Sequence, residues 1–195
     1  MRSTRFREEA INSWILAGYQ EFASDGPNGL KVERLSRKVG KNKSSFYHYF
    51  ADLEVYTNHL LRYHLRQAEV LAEREAKCQN VNELIEIILD HQLDLFFNRQ
   101  LRINRSNPDF DTCFEQTNQI TIPGFLKIWK KIIGLPDQTE LAASFLQLSM
   151  GHFFLSMTPD DMNRKWLTNY FHQLFEMVEA FKRNGKIPAM LNGTV

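Results

Sequence analysis

With 195 residues, 43% of them hydrophobic and 24% charged, the chain can bury a core of its own and is not a disordered segment. No apolar run approaches the length of a membrane span, and the opening MRSTRFREEAINSW lacks a signal-peptide core, so a cytoplasmic protein is expected. The net charge of +1 is unevenly placed: residues 1–50 carry nine Lys/Arg against five acids, leaving the remainder three acids in excess. A basic head on a mildly acidic body suits a nucleic-acid binder with a separate regulatory part, and random surface scatter is the plainer alternative.

The first helix is expected over about Thr4–Ser24, with Ile11, Ile15, Gly18, Tyr19 and Phe22 on its buried stripe and Gly18 permitting a close helix contact. The run DGPNG from Asp25 stops it with turn chemistry. Arg2, Arg5 and Arg7 at its start either reach phosphates or belong to a solvated terminus. The next stretch, LKVERLSRKVGKNKSSFYHYF from Leu30 to Phe50, reads as two short helices about a tight turn. Val32, Leu35 and Val39 lie at helical spacing, Gly40 gives the backbone freedom for a sharp exit, and Asn42 caps a second helix over Lys43–Phe50. Phe46 and Phe50, one turn apart, pack inward and leave Lys43, Ser44, Ser45, Tyr47, His48 and Tyr49 outside. That helix face holds donors and aromatic rings and no carboxylate, as suits a surface laid against phosphates and base edges. It looks like a DNA-reading helix-turn-helix.

These residues resemble the tetracycline-repressor (TetR) family of transcriptional regulators. Phe22, Gly26, Val32, Leu35, Gly40, Phe46, Tyr47, Tyr49, Phe50 and Glu54 fall in register with the family's first helix, turn and Phe-Tyr-x-Tyr-Phe close, over roughly the first quarter of the chain. The resemblance implies a three-helix DNA-binding domain and an all-helical C-terminal domain that dimerises and binds an inducer. The chain departs from the family pattern at Lys41, in place of an apolar turn residue, and at Ser44, where the family often has Gly. Leu53 replaces a Lys that contacts a phosphate in relatives, and no Ser or Thr caps the helix that starts near Lys31.

Beyond Phe50, Asp52 is expected to cap a long helix to about Lys77, with Leu53, Tyr56, Leu60, His64 and Leu71 inward. A helix over Val81–Asn98 follows, with Leu84, Ile85, Ile88, Leu95 and Phe96 inward, and then a polar loop with a short helical turn over Arg99–Asn107. Ser106 or Asn107 before Pro108 starts a short helix, and Pro123-Gly124 breaks or kinks the run before Phe125–Ile133. Gly134-Leu135-Pro136 ends that run. Asp137 and Glu140 resemble a capping box opening Thr139–Met157, and Thr158-Pro159-Asp160-Asp161 reads as the start of a last helix to about Asn184. Leu141, Phe145, Leu148, His152 and Leu155 line the former; Trp166, Tyr170, Leu174, Met177, Val178 and Phe181 line the latter. Both are apolar over more than one narrow stripe. In the family they form a four-helix dimer interface, and Gly151 would allow close approach there.

No nucleophile elbow, phosphate-cradling Gly loop or HExxH motif appears, so no enzyme is expected, and no cofactor is implied. Cys78 and Cys113 lack disulfide or zinc spacing. His91 either faces a cavity or sits as a satisfied core histidine; His64 and His152 stay similarly open, and no metal site is assigned. The expectation is an all-α protein with a DNA-binding domain over 1–51 and a regulatory, dimerising domain over 52–195. Lys43, Ser44, Ser45, Tyr47 and His48 are the base-side candidates; Lys31, Lys41, Tyr49 and the N-terminal arginines are the phosphate-side ones. His91, Phe96, Phe125, Trp129 and Phe154 are the candidates for an apolar or amphipathic effector. The implied protein is a homodimeric repressor of a palindromic operator, released by that effector. Its rival is a protein of the same fold that works through protein partners with DNA contact weak or lost, favoured by Leu53.

Overall fold

A computed structural model describes residues 2–184, with side chains described from Phe6 to Arg183. Among the described residues there are nine α-helices and no strand. Helix α1 (Arg2–Asp25) leads through a 3-10 turn, Gly26–Gly29, into α2 (Val32–Val39), α3 (Lys43–Tyr49) and the long α4 (Leu53–Lys77). The body adds α5 (Val81–Asp90), α6 (Gln92–Ile103), α7 (Pro108–Ile132), α8 (Thr139–Ser156) and α9 (Arg164–Asn184).

The helix starts follow local chemistry. Asn42, Asp52, Asn80 and Asn107 each accept from a backbone N–H of the turn they open, a bond worth about 1 kcal/mol per cap. Gly40 sits at φ 68°, in the left-handed region where a Cβ is strained, and there α2 turns sharply into α3. Helix α1 presses on α4 at Gly18, where a Cβ would collide with the Tyr56 ring. That close contact lets the Tyr56 hydroxyl donate to the Trp14 carbonyl at 2.6 Å.

Two apolar clusters form the core. One gathers Trp14, Tyr19, Phe22, Leu35, Phe46 and Phe50 with Tyr56 and Leu60 of α4, and it runs on into Phe97, Leu101 and Phe110 of the body. The other packs Leu84, Ile85 and Ile88 against Ile128, Trp129, Leu146, Phe154, Leu167 and Phe171. Helix α4 contributes to both, through Tyr56 and Leu60 at one end and Leu71 at the other.

Several boundaries differ from expectation. The helix expected over Val81–Asn98 is interrupted at His91, whose Nδ1 bonds to Asp94 Oδ2 at 2.7 Å. The expected loop over Arg99–Asn107 is helical as far as Ile103, because Leu101 is fully buried and Arg99 Nε donates to the Phe154 carbonyl at 2.9 Å. Helix α7 is long and runs unbroken through Pro123. Both Pro123 and Gln119, whose carbonyl loses its helical donor, are exposed, so water can serve that carbonyl. No capping box opens α8: Gln138 is its cap and makes no side-chain bond there. Helix α9 starts at Arg164, not near Thr158, because Thr158 and Asp161 close a turn on each other and Asn163 Oδ1 then accepts from Trp166 N at 3.1 Å. Leu53, expected inward, is exposed at the first turn of α4.

Candidate functional site

The helix-turn-helix is fixed from inside. Phe46 is completely buried, edge-on to Trp14 at 5.5 Å and to Tyr56 at 5.1 Å, and Phe50 packs on Tyr56 at 4.8 Å. With these rings inward, helical geometry turns Lys43, Ser44, Tyr47 and His48 into solvent and leaves Ser45 and Tyr49 half-buried. Tyr47 is 56% exposed, touching the core only through the edge of Phe46, so its ring does not tuck under α1. Lys31 and Lys41, at the start of α2 and in the turn, are exposed and form no ion pair among the described residues.

Two features of the surface escape sequence reasoning. The α3 face itself carries no carboxylate, but Glu33 of α2 reaches Lys43 and pairs with it. The hydrogen bond from Lys43 holds the Glu33 carboxyl below its usual range. The cations of α2 also divide: Arg34 and Lys38 pair with the buried Glu21 of α1, and Arg34 pairs with Asp25 at 2.5 Å. They therefore clamp α2 to α1, whereas Arg37, like Lys31 and Lys41, is exposed and without an ion pair among the described residues. The one-turn spacing of Arg34 and Lys38 was the only signal, and reading it requires knowing how α1 and α2 cross. Arg7 is exposed; the side chains of Arg2 and Arg5 lie outside the described residues.

The body encloses a cavity of about 100 Å³ between α4, α6, α7, α8 and α9. Phe125, Trp129 and Phe154 are in its wall; His91 and Phe96 are not. Trp129 is held by Nε1–H donating to the Ala142 carbonyl at 2.9 Å and lies along Phe125, ring centres 6.1 Å apart. Phe96 instead packs at the junction of the two clusters. His91 is buried against Asp94. His64, open on sequence between a cavity contact and a satisfied core histidine, is in the wall. Its Nδ1 lies 2.7 Å from the Tyr19 hydroxyl, which is also 2.7 Å from Asp94 Oδ1. The phenol has one proton to give. Donating it to the carboxylate leaves its oxygen to accept from His64 Nδ1–H, so Nε2 of the neutral ring is a free acceptor. Burial pushes the His64 imidazole down to about 4, keeping it neutral. This network ties the cavity wall to α1 of the head. His152 stands apart, exposed and stacked on Tyr170.

The outer face of α8 and α9 is apolar. Leu148 is 71% and Leu155 79% exposed, and Met177 and Phe181 lie open beside them. A groove between the two helices runs along Phe145, Leu148, His152, Leu174 and Met177. Gly151 sits beside this stripe, where a Cβ would approach only the Arg102 guanidinium, at 3.6 Å.

No family model and no curated protein matches the chain. Among solved structures it is similar to a protein from Mesorhizobium loti MAFF303099 assigned to the TetR family of transcriptional regulators. The TM-score is 0.58 at 18% identity, covering 91% of this chain and 96% of that one. The two share one fold over nearly the whole of both chains, and the described residues of this one are all-α.

Proposed function

We propose that the chain is a TetR-type transcriptional repressor that works in the cytoplasm, binds a palindromic operator as a homodimer, and is released by a small effector. Residues 1–51 read DNA and residues 52–195 sense and dimerise. The observation that carries this reading is α3 itself, a short helix anchored by Phe46 and Phe50 that turns Lys43, Ser44, Tyr47 and His48 outward. Ser45 and Tyr49 border that face, and Lys31, Lys41 and Arg37 flank it for phosphate contact. One such helix gives little base readout alone, and a dimer places two in successive major grooves. The open stripe through Leu148, Leu155 and Met177 supplies the apolar surface for pairing. Phe125, Trp129 and Phe154 line the effector site, and the rings of His64 and Tyr19 carry its state to α1. An effector favours a dimer spacing that no longer matches the operator.

A second reading has two observations behind it. Glu33 neutralises Lys43 and Leu53 presents a methyl-rich side chain where a cation would serve DNA, which favours a protein partner over an operator. Selection of fragmented genomic DNA by the purified protein, repeated across salt concentrations, separates the two. The repressor reading expects enrichment of palindromic sites and affinity falling steeply with salt. Failure to enrich any site at low salt selects the second reading. Sedimentation should show a dimer that Leu155→Glu dissociates, and a monomer at all concentrations would remove the operator geometry.

A further inference from the structure

The cavity wall combines an apolar lining with polar atoms that have no partner. Oε2 of Glu75, Nε2 of His64, Oδ1 of Asn98 and Oγ of Ser149 are all buried without a hydrogen bond, and all four residues border the cavity. Asn98 lies near enough to the imidazole to favour its protonated form, yet neither His64 Nε2 nor Asn98 Oδ1 completes a bond within 3.5 Å. Buried polar atoms in folded proteins are nearly always satisfied, so four around one space point to an absent partner. Three of the four are acceptors. His64 Nε2 is one by the tautomer argued above, Asn98 Oδ1 is one by nature, and Glu75 is one whenever it is ionised.

The charge of the wall has the same sense. It holds two carboxyl groups, Glu75 and Asp94, and neither a lysine nor an arginine. Asp94 already accepts from Tyr19 and bonds to His91. Glu75 is 5% exposed, and among the described residues no cation pairs with it. His64, Ala68, Leu71 and Glu75 lie along one face of α4, spread over three turns, so the acceptors line the length of the space. A buried carboxyl with no partner and no base nearby is costly, and a ligand that brings a cation removes that cost.

We infer that the cavity takes a small organic cation, a protonated amine on an apolar frame, whose ammonium group donates to the Glu75 carboxylate. This rests on the reading of the cavity as an effector site and names the effector's class. The frame lies against Leu71, Ile88, Phe125 and Trp129. Proton balance follows. Burial pushes the Glu75 carboxyl up to about 8, so near neutral pH it holds its proton when no cation is bound. Pairing with an ammonium group ionises it, and the proton leaves to solvent. The other titratable groups around the space are His64, Asp94 and Tyr170, with Cys78 close enough to Glu75 to feel its charge.

The test is titration calorimetry of the full-length protein near pH 7 with benzylamine, benzyl alcohol and benzoate, in two buffers of different ionisation heat. The amine should bind at least about tenfold more tightly than the alcohol, the factor one charge-assisted bond supplies. Close to one proton should be released per amine bound. Glu75→Gln, which keeps the side chain's shape, should remove both the preference and the release. Equal or tighter binding of the alcohol or benzoate overturns the inference, as does no binding of any of the three, or proton release that persists in Glu75→Gln. Should that variant fail to fold, the three probes on the unmodified protein decide alone. A parallel DNA-binding assay keeps the two readings apart. Amine binding without release of DNA leaves the ligand class standing and removes the effector role. Intact DNA binding with no amine binding removes only the ligand class.

Discussion

In the head, Phe46 and Phe50 close against Trp14 and Tyr56, and the Tyr56 hydroxyl is tied to a main-chain carbonyl. In the body, Phe125, Trp129 and Phe154 stand around an open space whose wall carries buried polar atoms without partners. Both regions draw on aromatic side chains, but they use them differently. The solid core makes one outward face rigid, as a surface that reads another molecule requires. The hollow core leaves an interior that a ligand can complete. A rigid surface tolerates loss of an outward group without loss of fold, whereas a hollow interior couples each wall residue to stability.

The contrast is broken most directly at Phe46. Replacing it with Ala leaves a void among rings that cannot collapse, at a cost of about 3–5 kcal/mol, and DNA binding should fall with the melting temperature. Chemical denaturation checks the size, and a loss below about 1 kcal/mol would show the head to be loosely packed. Outward groups should behave in the opposite way. Tyr47→Phe keeps the ring and should cost about 1 kcal/mol of DNA affinity if the hydroxyl bonds DNA, with an unchanged melting temperature. A drop in melting temperature at constant affinity would move Tyr47 to the structural side.

A smaller effect sharpens the electrostatics of the same face. Glu33→Gln frees Lys43 from its partner and should strengthen DNA binding, whereas Lys43→Ala should weaken it and flatten the salt slope by about 1. Opposite signs in the two variants would confirm that Glu33 and DNA compete for one ammonium group; equal signs would refute it.

A pH-dependent change is expected in the body. Glu75 in the folded protein keeps its proton up to about 8, while the unfolded chain releases it near the ordinary carboxyl value. Between those values the folded state binds more protons, so this group's contribution to stability falls as pH rises. Melting followed across that range should show a shallower decline in Glu75→Gln than in the parent. His64 acts at the other end. Its imidazole is held near 4, so below the usual histidine range the unfolded state binds the extra proton and stability falls with falling pH.

What was legible in the sequence tracks how local each determinant is. Gly40, Asn42 and the Phe46/Phe50 spacing announce the helix-turn-helix because turn, cap and stripe all act within a few residues. The partners of those rings lie on other helices: the spacing turned Tyr56 inward but did not mark Trp14, and neither pairing had a local signature. Arg99–Ile103 looked like a loop because its polar residues mask Leu101 and the reach of Arg99 to α8. The cavity was half legible. Phe125, Trp129 and Phe154 were foreseen in it, but Glu75 was not, since a lone glutamate on a long charged helix gives no hint that it faces inward. Only the packing of α4 on α7 shows that.

Helix α4 also decides how the molecule comes apart. Its 25 residues extend about 38 Å, with one end among the rings around Phe46 and the other in the cluster around Trp129. Fraying that helix removes a wall from both cores at once, and Phe97, Leu101 and Phe110 already join the head's cluster to the body. Head and body should therefore melt as one cooperative unit, with calorimetric and van't Hoff enthalpies in agreement, although each carries its own chemistry.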